Sequence, residues 1–274
     1  MRVYFNQCDV GVQGTGVLAE SVSIQSRNTL QSIYSLGKFG QRGQSPYGGL
    51  SSTFQLNYLP ELNSEPNRLI AGQVVSLTGE YTGVLLEVGG FSGFGCFLTS
   101  YGLEADVNDP VKAQANFITF KPLLGEPANK LGVLSYNASG AVGHGWSVYL
   151  TDTGDYLTNL AYNFSYQMRA DWFPIYVLGK TEPTGVKLLS CQESISFSRD
   201  VPRNILHSGE NASGFLSTTG DMRMRNIVFS CSNPSAPVYP EIRIPLSGFQ
   251  VVGSEISAQL DDFLHIRTTI TRGS

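Results

Sequence analysis

Asp152-Thr153-Gly154, in "LTDTGDY", is the tripeptide through which an aspartic protease presents a catalytic carboxylate. That chemistry needs two carboxylates sharing one proton, each on such a loop. No second Asp-Thr-Gly or Asp-Ser-Gly occurs in the chain, so the segment reads as a polar hairpin turn. The three histidines stand in unrelated contexts: His144 in "VGHGW", His207 after Arg-Asn-Ile-Leu, and His265 in an alternating run. With no HxH or HExxH spacing they form no zinc motif. Ser92, in "GGFSGFG", comes near a nucleophile elbow, but the residues flanking it are misplaced, with Phe94 where the second glycine belongs. "GVQGTG" (Gly11–Gly16) lacks the Lys-Ser/Thr of a phosphate loop. "DVNDP" (Asp106–Pro110) offers two carboxylates, too few for a dedicated calcium loop. Cys8, Cys96, Cys191 and Cys231 contain no CxxC pair and lie in or near apolar stretches, as small buried thiols do. Trp146 and Trp172, with 13 tyrosines, could line a sugar-binding face, but aromatics of β domains more commonly fill cores or interfaces. The expectation is a chain that is not an enzyme and carries no cofactor and no metal.

The elements that must position any site are strands. Of 274 residues only 15% are charged, 30 are Gly, and 41% are hydrophobic, a composition suited to strands and tight turns with an ample core. The formal net charge is −4, with no cluster of Lys and Arg. Tight nucleic-acid binding needs clustered cations to displace phosphate counterions, so that class is excluded. A surface past which DNA slides is not. The start "MRVYFNQCDV" lacks the cationic and apolar segments of a secretory leader. The most apolar window, Gly83–Leu98, is too short and too glycine-rich for a membrane helix and fits strand–turn–strand, so no membrane partner is expected.

Period-2 alternation recurs along the chain. Val22 and Ile24 share one face in "ESVSIQS"; Phe54, Leu56 and Tyr58 do so in "TFQLNYL". Leu160, Tyr162, Phe164 and Tyr166, then Ile195 and Phe197, Met222 and Met224, and Ile242 and Ile244 repeat the pattern. Separated by Gly, Pro, Asn and Ser clusters, such segments predict antiparallel sheets with one wet face. Helical signal is confined to "NSEPNRLIAGQ", where Pro66–Ala71 suits two turns at most.

"SIYSLGKFG" (Ser32–Gly40) and "FPIYVLGKT" (Phe173–Thr181) repeat Ile-Tyr-x-Leu-Gly-Lys 142 positions apart. The surroundings align as well. "AESVSIQSRNTLQSIYSLGKFG" matches "LAYNFSYQMRADWFPIYVLGKT" in strand, polar break with Arg27 or Arg169, and motif. A returning strand follows each, "STFQLNY" or "ESISFSR", and the closing segments Leu98–Phe120 and Leu246–Ile270 correspond loosely. The expected architecture is all-β, with two tandem antiparallel β-sandwich or barrel modules, long hairpin arms and very little helix. The Pro/Gly/Asn stretch at Leu123–Gly132 sets the modules at 1–125 and 126–274. Two roles stand for the repeated segment. In one, Tyr34 and Tyr176 cover a sandwich edge while Gly37 and Gly179 supply turns. In the other, Ile33, Tyr34, Leu36 and Gly37, with Ile175, Tyr176, Leu178 and Gly179, form exposed arms that dock on the next subunit.

The paired segments and the closing "LTSYGLEADVND" strands resemble bacteriophage tail tube proteins and related virion proteins over about half of the chain. The resemblance implies a β-sandwich with a long hairpin arm. It implies a structural role: copies assemble into stacked rings whose inner strands line a channel for genome delivery. With two modules per chain, three subunits would match a six-module ring. The partners implied are the chain itself as a stacked trimer or hexamer, other phage tail proteins, and double-stranded DNA passing without specific binding. The location implied is the virion tail, after assembly in the host cytoplasm. The alternative is a capsid decoration or fibre-like surface protein that binds a capsid lattice or a glycan; a hydrolase or carbohydrate-binding module with scattered carboxylates is a third.

Overall fold

The computed structural model describes residues 10–17, 19–27, 30–33, 43–46, 49–60, 70, 83–125, 146–151, 156–158, 161–178, 180–202, 226–231, 241–245, 248–258 and 263–273. Up to residue 125 there are ten strands: β1 (Val10–Val12), β2 (Thr15–Gly16), β3 (Ala19–Arg27), β4 (Leu30–Ile33), β5 (Gly43–Pro46), β6 (Ser51–Tyr58), β7 (Val84–Val88), β8 (Phe91–Asp106), β9 (Lys112–Thr119) and β10 (Leu124–Gly125). Eight more follow: β11 (Trp146–Thr151), β12 (Tyr156–Thr158), β13 (Ala161–Ile175), β14 (Gly185–Pro202), β15 (Asn226–Cys231), β16 (Glu241–Pro245), β17 (Gln250–Ala258) and β18 (Phe263–Gly273). The fold is all-β and antiparallel throughout its pairings. Of the expected short helix only Ile70 is among the described residues; it is helical and fully buried.

Eight strands form one continuous band in the order β3-β6-β9-β8-β13-β14-β18-β17. Chain order within the first four is first, second, fourth, third, and it is the same within the last four. The band's two halves meet where β13 runs against β8, from Asn163 opposite Asp106 to Arg169 opposite Ser100. The amino-terminal part of β8 leaves the band to pair with β7, which pairs in turn with β1, and β1 pairs with β2. Gly89 and Gly90, at φ 54° and 90°, make the tight turn that sends β7 back as β8. A separate four-stranded sheet runs β12-β11-β15-β16. Thr151 lies opposite Tyr156 in it, while Asp152-Thr153-Gly154 lies outside the described residues.

One side of the band carries the core, as the alternation dictates. Tyr58, Ala113 and Leu103 stand in register, and the row continues through Tyr166, Ile195 and Ile270, all buried. Val10, Val12, Leu86 and Val88 from the covering strands join the same cluster. Each fully buried side chain of this size contributes about 1.5–3 kcal/mol of transfer free energy. Cys96 and Cys191 belong to this core as buried cysteines. Burial pushes Cys96 up to about 12, and burial with the Glu193 carboxylate pushes Cys191 up to about 11.

Candidate functional site

The two copies of the repeated motif begin where two hairpin ladders of matching register end, at Ile33 and Ile175. Leu30 pairs with Pro46 and Ile33 with Gly43 in the first; Trp172 pairs with Leu188 and Ile175 with Gly185 in the second. Both hairpins therefore enclose tips of nine residues, 34–42 and 176–184. In the first arm Ile33 ends β4, and Tyr34, Leu36 and Gly37 lie outside the described residues. In the second arm Ile175 ends β13, Tyr176 and Leu178 follow it, and Gly179 lies outside the described residues. Phe173, Ile175, Tyr176 and Val177 are 54%, 45%, 38% and 45% exposed, and Leu178 is fully so. An apolar tip this open is no part of the core.

The base of the second arm leans on the first half of the band. Trp172 lies 5.1 Å from Phe97, centroid to centroid, and donates its Nε1–H to the Leu98 carbonyl at 2.7 Å. The Tyr176 hydroxyl sits over Gly49, where any β-carbon would overlap it. Glycine at position 49 thus lets the arm of one half rest on the base of the other.

The face of the band turned away from the core is polar, row after row. From Ser21 one row runs through Asn57, Gln114 and Gly102; it crosses to Gln167 and continues through Ser194, Thr271 and Gln250. The next row runs from Ser23 through Gln55, Asn116 and Ser100 to Arg169 and Gln192. Asn57 donates to Ser21 Oγ at 2.6 Å and Asn116 to Ser100 Oγ at 2.7 Å, tying neighbouring strands. This face is concave: it floors a trough of about 950 Å³ that crosses seven strands, β3 to β18. Charges of both signs are interspersed along it. Arg27, Lys112, Arg169 and Arg267 answer Glu104, Asp106, Asp171 and Glu255, with Glu20 at the rim beside a bulge. Among the described residues the trough is lined by no exposed aromatic, and no three acids, histidines or cysteines gather as a metal site.

Among the described residues both long edges of the band are unpaired. Among the described residues β3 pairs only with β6, and β17 only with β18. Each has nine residues and neither contains proline. Soluble proteins ordinarily blunt such edges with short strands, proline or inward charges.

One buried charged group lies near the β17 edge. Glu193, 6% exposed, pairs with Arg272 through Nη2 and accepts Arg272 Nε–H at 2.6 Å; its other oxygen accepts the Tyr166 hydroxyl at 2.8 Å. The Arg272 guanidinium lies 4.6 Å over the Phe249 ring. Burial first, then the Glu193 carboxylate, hold the Tyr166 phenol well above its usual range. Tyr58 and Tyr101 are raised chiefly by burial too; their hydroxyls interact without the geometry of a full hydrogen bond. Held by Arg272 on one oxygen and Tyr166 on the other, the Glu193 carboxylate reads as a structural clamp.

No family model matches the chain, and no curated protein matches it.

The arm tips were legible in the sequence from the repeated motif. The polar rows, the two open edges and the Glu193–Arg272 pair were not, because each depends on which strands become neighbours. The alternation of Ser21, Ser23 and Gln25 was the local signal of the polar face.

Proposed function

We propose that the chain is a structural subunit that assembles with copies of itself into stacked rings, as a phage-tail-like tube, with the polar concave face toward the channel. The single observation that carries this reading is the repeated strand order, with both outer edges unpaired among the described residues. A first–second–fourth–third block followed head to tail by the same block supports a duplicated β module. The same joint, made between chains, propagates around a ring. Three bands would close a barrel of roughly 24 strands, about 37 Å across the backbone before tilt, or about 27 Å between side chains. That opening passes a DNA duplex. A lining of hydroxyls and amides with interspersed charges of both signs lacks the clustered cations that would hold phosphates. Other tail proteins are the partners such a tube meets at its ends, and the virion tail is where it resides.

The exposed tip Phe173–Leu178 suits docking on a neighbouring copy. A capsid decoration or fibre-like protein would share the arms but gains nothing from a sheet open at both edges. Electron microscopy of the purified protein at high concentration tests the proposal. Hollow rings or rods are the expected outcome; monomers at every concentration would overturn it.

A further inference from the structure

The joint between the two halves of the band interprets one further surface, and that surface deepens the proposed assembly. We infer that β17 of one copy pairs antiparallel with β3 of the next in a single register, with Ile24 opposite Ile256, Ser23 opposite Ser257 and Arg27 opposite Gly253. This rests on the ring-forming reading given above.

The register follows from the joint already inside the chain. There, Arg169 lies opposite Ser100, Tyr166 opposite Leu103 and Phe164 opposite Ala105. The two arms fix how β3 superposes on β13, since Leu30/Pro46 and Ile33/Gly43 correspond to Trp172/Leu188 and Ile175/Gly185. That places Arg27 on Arg169, Ile24 on Tyr166 and Val22 on Phe164. Bulges fix how β17 superposes on β8. The ladder of β8 with β9 slips between Leu98 and Ser100; that of β17 with β18 slips between Val251 and Gly253. Gly253 therefore takes the place of Ser100, Ile256 that of Leu103 and Ala258 that of Ala105.

The faces then agree. Val22 and Ile24 are half-buried on the core side of β3, and Ile256 holds the core-side register through Ile266, four residues before buried Ile270. A slip of one residue would set Ile24 against the polar side, which a sheet with one buried face forbids. Charge agrees as well. Arg27, opposite Gly253, stands diagonal to Glu255, within reach of a long side chain. Both are exposed in the single chain.

Ser23 and Ser257 lie on opposite edges of the band, seven strand spacings or about 30 Å apart, so no disulfide can join them within one chain. The test is Ser23→Cys with Ser257→Cys, oxidised in assembled protein and run without reductant. The expected result is covalent oligomers from the double variant, loss of most monomer, and at least a tenfold lower yield from either single variant. Ser23→Cys with Glu255→Cys, a two-residue slip, should cross-link at least tenfold less. Rings seen by microscopy with no cross-link, or with the slipped pair favoured, would overturn the register and leave the ring-forming reading standing. Absence of both rings and cross-links would overturn both.

Discussion

The two halves of the band solve the same buried position differently. Two residues past the apolar pair Phe54–Phe117, the first half places Ser52 opposite Thr119, both fully buried. Two residues past Ile195–Ile270, the second half places Glu193 opposite Arg272. The hydroxyls are small and find nearby oxygens: Ser52 Oγ donates to Ser26 Oγ at 3.1 Å, and Thr119 Oγ1 to the Phe94 carbonyl at 2.8 Å. The charged pair instead recruits Tyr166 and Phe249 from two further strands or loops. A hydroxyl there costs little to bury and specifies little. An ion pair costs several kcal/mol in desolvation and tolerates few alternatives, because a slipped strand would strand a buried charge. The difference places the stricter register control beside β18 and β17, where one open edge lies.

Breaking each solution in turn measures that difference. Glu193→Ala leaves Arg272 without its carboxylate and should lower unfolding free energy by about 3 kcal/mol, seen as a shifted urea midpoint. Replacing both partners, Glu193→Leu with Arg272→Met, should recover most of that loss; an equal loss would mean that the charges themselves are not the cause. Thr119→Val, in the first half, keeps the shape and removes one hydrogen bond, so about 1 kcal/mol is expected. An effect as large as that of Glu193→Ala would erase the contrast between the halves. The smallest effect concerns the thiols. Both Cys96 and Cys191 titrate above an unfolded cysteine, so their burial contributes stability that is complete below about pH 9. That contribution is lost as pH rises through about 11 for Cys191 and about 12 for Cys96. Alkylation of the native protein on an alkaline pH series, read by mass spectrometry, should therefore modify Cys191 before Cys96.

Much of the fold was legible because alternation is local. Val22 and Ile24, Phe54, Leu56 and Tyr58, and Ile195 and Phe197 face the core side as their spacing requires. Gly83–Leu98 is the strand–turn–strand that its glycines implied. The interval of 142 residues located both arms, because Ile33 and Ile175 close hairpins of equal tip length. Met222 and Met224 lie outside the described residues, as do His144 and His207. Lateral order was not legible. Glu193 and Arg272 are 79 residues apart, and nothing near either one names the other. Nor does the run Phe91–Asp106 reveal that one strand of 16 residues serves two groups of neighbours.

That long strand has a mechanical consequence. β8 is held by β7 and β10 at one end and by β9 and β13 at the other, so the two halves share a backbone ladder instead of a hinge. A force applied across the band loads the seven β8–β13 residue pairs together, along the direction of their hydrogen bonds. The band therefore flexes as one plate, and its halves do not swivel like beads on a string.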